Sequence, residues 1–274
     1  MDVGEIYHKV NQYQVQNASD CIKKVRALLH DKFGNQKCKL LDIGTGDGRV
    51  LSEVFVKHSG LNFEKVLGSD INLEMIKVAK KNYQNDLIKF EQLNIEDEEA
   101  SSELLKVHGT FDILTTYFCL HWIKDLKIAL SNVKRFLKPN GVFHIISFTK
   151  CSATEAFIEL ANNSKYHAYR DGILNFPLHK KLDHGDLDNI INDLGFEVKM
   201  TESILPSFDF ETDENLKNFF NMAPFIKNMP ANMRQEFLID LAETTRKMNK
   251  QQGLLDYSFD STLLHCLVIK KNDN

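Results

Sequence analysis

One stretch constrains this chain more than any other: Lys39-Leu40-Leu41-Asp42-Ile43-Gly44-Thr45-Gly46-Asp47-Gly48-Arg49-Val50. A short apolar run, glycines at alternate positions and an amphipathic run to Lys57 read as buried parallel strand, turn and helix. Gly44, Gly46 and Gly48 let the main chain take positive φ and let a ligand lie against it. The helix start beyond them offers unpaired N–H groups. Such a turn usually holds a nucleotide. The spacing is G-x-G-x-G, however, rather than the G-x-G-x-x-G of pyrophosphate binders. Asp42, at the strand end, would repel a pyrophosphate and suit a cationic or polar ligand.

A second signal lies further on, in Val66-Leu67-Gly68-Ser69-Asp70. A carboxylate at the end of a second strand, roughly 20 residues beyond a glycine turn, accepts hydrogen bonds from both ribose hydroxyls in dinucleotide folds. Further apolar segments alternate with helical ones. Strands are expected at Lys39–Ile43, Val66–Ser69, Ile88–Leu93, Phe111–Thr116 and Val142–Phe148. Helices are expected at Asp47–His58, Leu73–Tyr83, Glu99–Val107 and Leu126–Leu137. This alternation argues for an α/β fold with a doubly wound parallel sheet. A helix from Asn17 to Gly34 precedes it. Helices near Ala153–Asn162 and Gly185–Leu194, a strand at Glu197–Ile204, helices at Asp213–Asn221 and Pro230–Met248, and a last strand at Ser261–Ile269 follow.

The segment Asp42–Gly48 resembles the first motif of class I S-adenosylmethionine-dependent methyltransferases, with Asp70 as the second-strand acid. The resemblance implies a Rossmann-like, seven-stranded, mostly parallel sheet over a single domain of residues 1–274. Its parts would be an N-terminal cap and helix at 1–34, a cofactor-binding core at 35–150 and a second half of the sheet at 151–205. A C-terminal strand at 256–274 completes it. Where the class has a short hairpin before that strand, this chain has about 50 residues of helix, far above the usual connection length. The segment 206–255 is therefore expected to be a helical lid inserted over the substrate. S-adenosyl-L-methionine is the implied cofactor, held by Asp42, Gly44, Thr45, Gly46, Gly48, Asp70, Ile71, Asn94, Ile95 and Tyr117. Asn94 stands where such enzymes usually carry an Asp; its carbonyl can still accept from the adenine amino group. Thr45 replaces a more usual cysteine or small residue.

After the fourth strand, base- and amide-methylating enzymes carry Asn/Asp-Pro-Pro-Tyr; this chain has Thr115-Thr116-Tyr117-Phe118, which disfavours them. No carboxylate cluster stands at Thr149–Ser152, so no metal is expected. Instead Leu120-His121-Trp122, together with Tyr7-His8-Lys9-Val10-Asn11-Gln12-Tyr13-Gln14, resembles the insect juvenile hormone acid O-methyltransferases. Lys165-Tyr166-His167-Ala168-Tyr169 and Ala223-Pro224-Phe225 fit the same family, with tyrosines where it tends to have tryptophans. The resemblance implies that Gln14 and Trp122 bind the reacting carboxylate, and that His121, Tyr166, His167 and Phe225 line the substrate site. The function it implies is a carboxyl O-methyltransferase acting on a small hydrophobic acid: juvenile hormone acid, farnesoic acid or a fatty acid. A small polar carboxylate such as trans-aconitate is the alternative; it would call for Arg170 or Lys165 in the pocket. A non-catalytic binding protein is the other.

Chemistry supports the pair independently. The indole N–H is a donor only and a glutamine amide offers two donors, so both carboxylate oxygens are held without a cation that would over-stabilise the ground state. A carboxylic acid ordinarily titrates at about pH 4, so it is ionised at neutral pH and needs no general base. Bland readings stand beside these. Trp122, the one tryptophan, could be core. Gln14 could simply cap its segment, His121 could be a structural histidine, and Tyr166, His167 and the Met222–Met233 stretch could be packing.

Composition fits a globular chain of 274 residues, 43% hydrophobic and 26% charged. A net charge of −4 without a basic tract disfavours nucleic acid. No apolar run reaches membrane-spanning length, so no membrane insertion is expected. The five cysteines form no C-x-x-C pair and read as reduced thiols of a cytoplasmic protein, a monomer or homodimer.

Overall fold

The computed structural model describes residues 7–8, 10–175 and 184–272; Lys9 and the stretch before Tyr7 fall outside them. The strands are β1 (Lys37–Ile43), β2 (Asn62–Asp70), β3 (Ile88–Gln92), β4 (Phe111–Tyr117), β5 (Leu137–Cys151), β6 (Phe196–Ile204), β7 (Ser207–Asp209) and β8 (Ser258–Lys270). They form one eight-stranded sheet in the order β3-β2-β1-β4-β5-β8-β6, with β7 paired to β8. Strands β1 to β5 pair in parallel, and β8 runs antiparallel to both β5 and β6. This is the open, doubly wound sheet expected, with one more strand than the expected seven. The addition, β7, is three residues long and follows Pro206, too short to leave an alternation pattern.

Parallel strands need apolar residues on both faces, and Leu40, Leu41, Ile113 and Leu114 are fully buried. On one face Ile22, Val25 and Leu29 of α1 (Gln12–Phe33) pack with Leu40 and Ile113. On the other, Ala129, Leu130 and Val133 of α5 (Leu126–Phe136) pack with Leu41 and Leu114. Between these α1 and α5 lie α2, α3 (Leu73–Tyr83) and α4 (Glu98–His108). The second, α2, is a π-helical turn Val50–Phe55 that continues as Val56–His58. Side chains set the helix starts: Asn72 accepts from Glu74 N, Asp97 from Glu99 N and Ala100 N, and Asp125 from Ile128 N.

Helix α1 starts five residues before the expected Asn17. Its first turns bury Tyr13 and Gln14, so an inward face that is partly polar hid the helical period. Beyond β5 come α6 (Ala153–Ala161), a 3-10 turn Ser164–Tyr169, α7 (Arg170–Leu174) and α8 (His184–Asp193). Between β7 and β8 lie α9 (Asp213–Phe220), a 3-10 turn Pro224–Asn228 and α10 (Ala231–Gln251). The two helical connections pack on each other: Phe157 of α6 stacks edge-on against Phe220 and Phe225 at 5.7 and 5.9 Å. Tyr166 meets Phe237 of α10 at 4.9 Å and donates its hydroxyl to Asp240 at 2.6 Å. Together they roof the carboxyl ends of β1, β4 and β5.

Candidate functional site

Three strand ends meet under this roof. Gly44 N and Thr45 N both donate to Ser69 O at 2.8 Å, tying the glycine turn to β2. At Gly44, φ is +73° and a Cβ would stand 2.2 Å from Cys119 Sγ, so only glycine fits. Asp70 is held from two sides, by Gly46 N at 2.9 Å and Asn72 N at 2.8 Å. Burial raises its pKa, and these two N–H groups work against that rise. Its remaining lone pairs face a cavity of about 340 Å³, the size class of a nucleoside-bearing ligand.

Gly44, Gly46, Asp70, Ile71, Asn94, Ile95 and Tyr117 line that cavity. Asp42, Thr45 and Gly48 instead lie beneath it. Asp42 is buried, accepts from Thr115 Oγ1 at 2.6 Å, and burial pushes its pKa up to about 7. Gly48 is packed under the Phe90 ring. Asn94 Oδ1 already accepts from Glu96 N at 3.1 Å, leaving the cavity one amide lone pair and two N–H donors. The Tyr117 hydroxyl turns into the core, 2.8 Å from His144 Nδ1. From there a buried chain runs outward, from His144 Nε2 to His265 Nε2 at 2.8 Å and from His265 Nδ1 to Glu202 at 2.8 Å.

A second, apolar chamber of about 80 Å³ adjoins the first, and Tyr7, Phe118, Trp122 and Met222 line both. Gln14 and His121 are its polar lining, while Phe148, Phe157, Phe219, Phe220, Ala223 and Phe259 close the rest. Gln14 is 6% exposed, and its Oε1 is sealed without a hydrogen-bond partner. Trp122 is 37% exposed and lies 5.1 Å, centroid to centroid, from His121. His121 is buried, its Nδ1 stands 3.3 Å from Ser147 Oγ, and burial lowers its pKa to about 3. Phe118 has φ +55°, a left-handed backbone costing a bulky residue about 1–3 kcal/mol. It is held by its N–H to Ile146 O at 2.7 Å and by the Phe148 ring at 5.4 Å.

The N-terminal segment is pinned by Asp47. His8 Nδ1 lies 2.6 Å from Asp47 Oδ2, and Asn11 Nδ2 donates to the same oxygen at 3.1 Å. Arg49 then donates to Asn11 Oδ1 at 2.9 Å and to His8 O at 3.2 Å. This clamp lays Tyr7 over Gly46. In the Tyr-x-x-x-Asn-x-x-Gln segment, therefore, Asn11 holds the segment down, and Tyr7 and Gln14 face the chambers.

A model of the methyltransferase domain family matches residues 35–223. The juvenile hormone acid O-methyltransferase of Drosophila melanogaster is 32% identical over 259 residues, 92% of this chain and 86% of that protein. The chain belongs to this family of S-adenosylmethionine-dependent methyltransferases. The protein of the same description from Bombyx mori is 24% identical over 255 residues, covering 90% of this chain and 87% of its own length. Solved structures agree on the fold. The plantazolicin methyltransferase BamL, in complex with a substrate analogue and SAH, superposes with TM-score 0.54 at 15% identity, covering 98% of this chain and 90% of its own. The [4+2]-cyclase SpnF gives TM-score 0.54 at 14% identity over 90% of this chain and 80% of its own. A methyltransferase and a cyclase thus share this fold, and the fold alone does not fix the reaction.

The larger of these two chambers has a lining whose donors and acceptors fit S-adenosylmethionine. Asp70 offers acceptors for a ribose edge, the open glycine turn admits a close backbone approach, and Met75, Leu93 and Ile95 give apolar walls for a base. Met75, Glu96, Phe118, Cys119 and Lys227 also line it and were not expected from the sequence. Phe118 and Cys119 directly follow Tyr117 in the chain, which was their one local signal; Lys227 comes from the distant roof and had none. Three expected substrate residues lie away from both chambers. Tyr166 is buried with its hydroxyl on Asp240, His167 is exposed, and Phe225 packs between Phe157 and Phe237. Tyr166 and Phe225 are packed within the roof. Lys165 is paired with Asp240 and Glu236 at 2.8 and 3.2 Å, and Arg170 is exposed; neither lines a chamber.

Proposed function

We propose that this methyltransferase transfers the methyl group to the carboxylate of a hydrophobic acid, isoprenoid acids such as juvenile hormone acid or farnesoic acid first and medium-chain fatty acids second. The observation that carries this reading is the make-up of the smaller chamber. Gln14 lines it, Trp122 lines both it and the larger cavity, its remaining walls are mostly aromatic, and among the described residues lining it there is no Lys or Arg. A polyanionic acid such as trans-aconitate would leave charges without partners there.

When bound, S-adenosylmethionine supplies an electrophilic sulfonium methyl. Asp70 takes the ribose hydroxyls, Asn94 reads the adenine edge, and Tyr7 covers the glycine turn. The acid enters already ionised. Gln14 Nε2 and the Trp122 indole N–H each donate to a carboxylate oxygen and aim the other lone pairs at the joint between the chambers. Charge is cancelled as the bond forms, so alignment and exclusion of water do most of the work. No proton moves, and the neutral His121 is not asked to accept one.

Phe219 and Phe220 of α9, with Met222 and Ala223 after it, close one side of the apolar chamber, and this supports a reading of the helical insertion as a lid over the tail of the acid. Five free cysteines accord with a reducing cytoplasm as the place of action, and among the described residues no helix is long and apolar enough to cross a membrane. Farnesoic acid and farnesol share a tail and differ at the reacting group. Labelled methyl transfer to farnesoic acid, as a base-labile ester, with none to farnesol, is the expected result. Equal labelling of both would end the carboxylate reading.

A further inference from the structure

The Leu120–Trp122 turn puts a histidine beside the proposed carboxylate-binding pair, and among the described residues that histidine has one hydrogen-bond partner. His121 Nδ1 lies 3.3 Å from Ser147 Oγ. Ser147 sits on β5, paired to Leu264 of β8, and is fully buried. A buried hydroxyl needs an acceptor for its proton, and among the described residues His121 Nδ1 is the acceptor within reach. If Nδ1 carried the ring proton instead, it would donate to Oγ and the serine proton would have nowhere to go. The polar accounting of the pair thus favours a bare Nδ1. In a neutral imidazole the other nitrogen must then bear the hydrogen. Nε2 makes no hydrogen bond among the described residues and is not sealed from the chamber that His121 lines.

We propose that Ser147 is a positioning residue, whose hydroxyl donates to His121 Nδ1 and fixes the tautomer that presents Nε2–H to the substrate carboxylate. This rests on the carboxylate reading above and adds to it a third donor, beside Gln14 and Trp122. The tautomer matters because the alternative would aim an Nε2 lone pair at an anion. Neutrality matters as well. Burial lowers the His121 pKa to about 3, so no imidazolium forms to pair with the nucleophile and blunt it. The carboxylate gains a donor without a counter-charge, the same logic that suits an indole and an amide to this place. Phe148, 5.1 Å from the His121 ring and edge-on to it, keeps the ring from turning over.

The test reads the tautomer first. Ring ¹⁵N shifts of His121 in the full-length labelled protein, without acid, are expected to show Nε2–H, and Ser147→Ala is expected to lose that preference. Ser147→Ala should lower kcat/KM for farnesoic acid about threefold to tenfold, the loss of one neutral hydrogen bond that fixes the donor, while the Kd for S-adenosylmethionine stays within twofold. Ser147→Thr, which keeps the hydroxyl, should restore both readings. His121→Gln, whose amide nitrogen reaches near the Nε2 position, should retain more activity than His121→Asn. An Nδ1–H ring in the wild type, or a Ser147→Ala protein with unchanged tautomer and rate, overturns the inference whatever acid is used. An Nε2–H ring with no transfer to any acid overturns instead the carboxylate reading on which it rests.

Discussion

Asp42 lies beneath the glycine turn, and burial pushes its carboxyl up to about 7 even though Thr115 donates to it at 2.6 Å. In the ligand-free protein it is thus about half protonated at neutral pH. In the proposed pocket S-adenosylmethionine would supply a sulfonium and an ammonium near this turn, and cations favour the ionised carboxyl. Binding is therefore linked to release of a proton wherever the pH lies below about 7. The sign follows: affinity is full on the alkaline side and falls as pH drops through 7. Each pH unit below that point weakens binding tenfold, about 1.4 kcal/mol, so at about pH 5.5 the Kd should be roughly thirtyfold above its alkaline limit. Isothermal titration in buffers of differing ionisation heat measures both the Kd and the proton released. Asp42→Asn should bind weakly, with a Kd flat over this range. A wild-type Kd that stays flat from pH 5.5 to 7.5, with no proton released, would refute the reasoning.

Trp122→Phe removes the indole donor and keeps a ring; kcat/KM for the acid should fall about tenfold to a hundredfold with cofactor Kd unchanged, read by methyl transfer and titration. Asp70→Ala should do the reverse, weakening cofactor binding by a similar factor through the loss of charge-assisted hydrogen bonds. Ala223 lines the apolar chamber. Ala223→Leu should overfill it, cutting kcat/KM for long acids more than for short ones in parallel assays. Burial lowers the pKa values of His144 and His265 from 6.5. The unfolded chain then binds more protons, and their contribution to stability is lost as pH falls below about 6.5. His144→Gln should accordingly show a shallower acid-side fall of Tm than the wild type.

The parts legible in the sequence are those fixed by neighbours in the chain. The turn from Asp42 to Gly48 needs its glycines for local backbone reasons, and α3 spans Leu73–Tyr83 as its period and Asn72 cap require. Asp70 was legible because a strand-end acid faces the same cavity as the turn. What was not legible depends on distant partners. Asn11 is bound by Asp47 and Arg49 across 36 and 38 residues, and no local signal tells a clamp from a ligand contact. Tyr166 looked equally suited to a pocket until Asp240 and Phe237 claimed it. The Tyr117 hydroxyl went to His144 for the same reason, since a buried phenol takes the nearest partner.

The measurement that tests the central claim most directly is kcat/KM for methyl transfer across a panel of farnesoic acid, juvenile hormone acid, lauric acid and trans-aconitate. An aromatic-walled chamber with no cation among the described residues lining it predicts turnover of the isoprenoid acids first, lauric acid behind them and trans-aconitate last. Preference for trans-aconitate would contradict the hydrophobic-acid assignment and require cations beside Gln14 and Trp122.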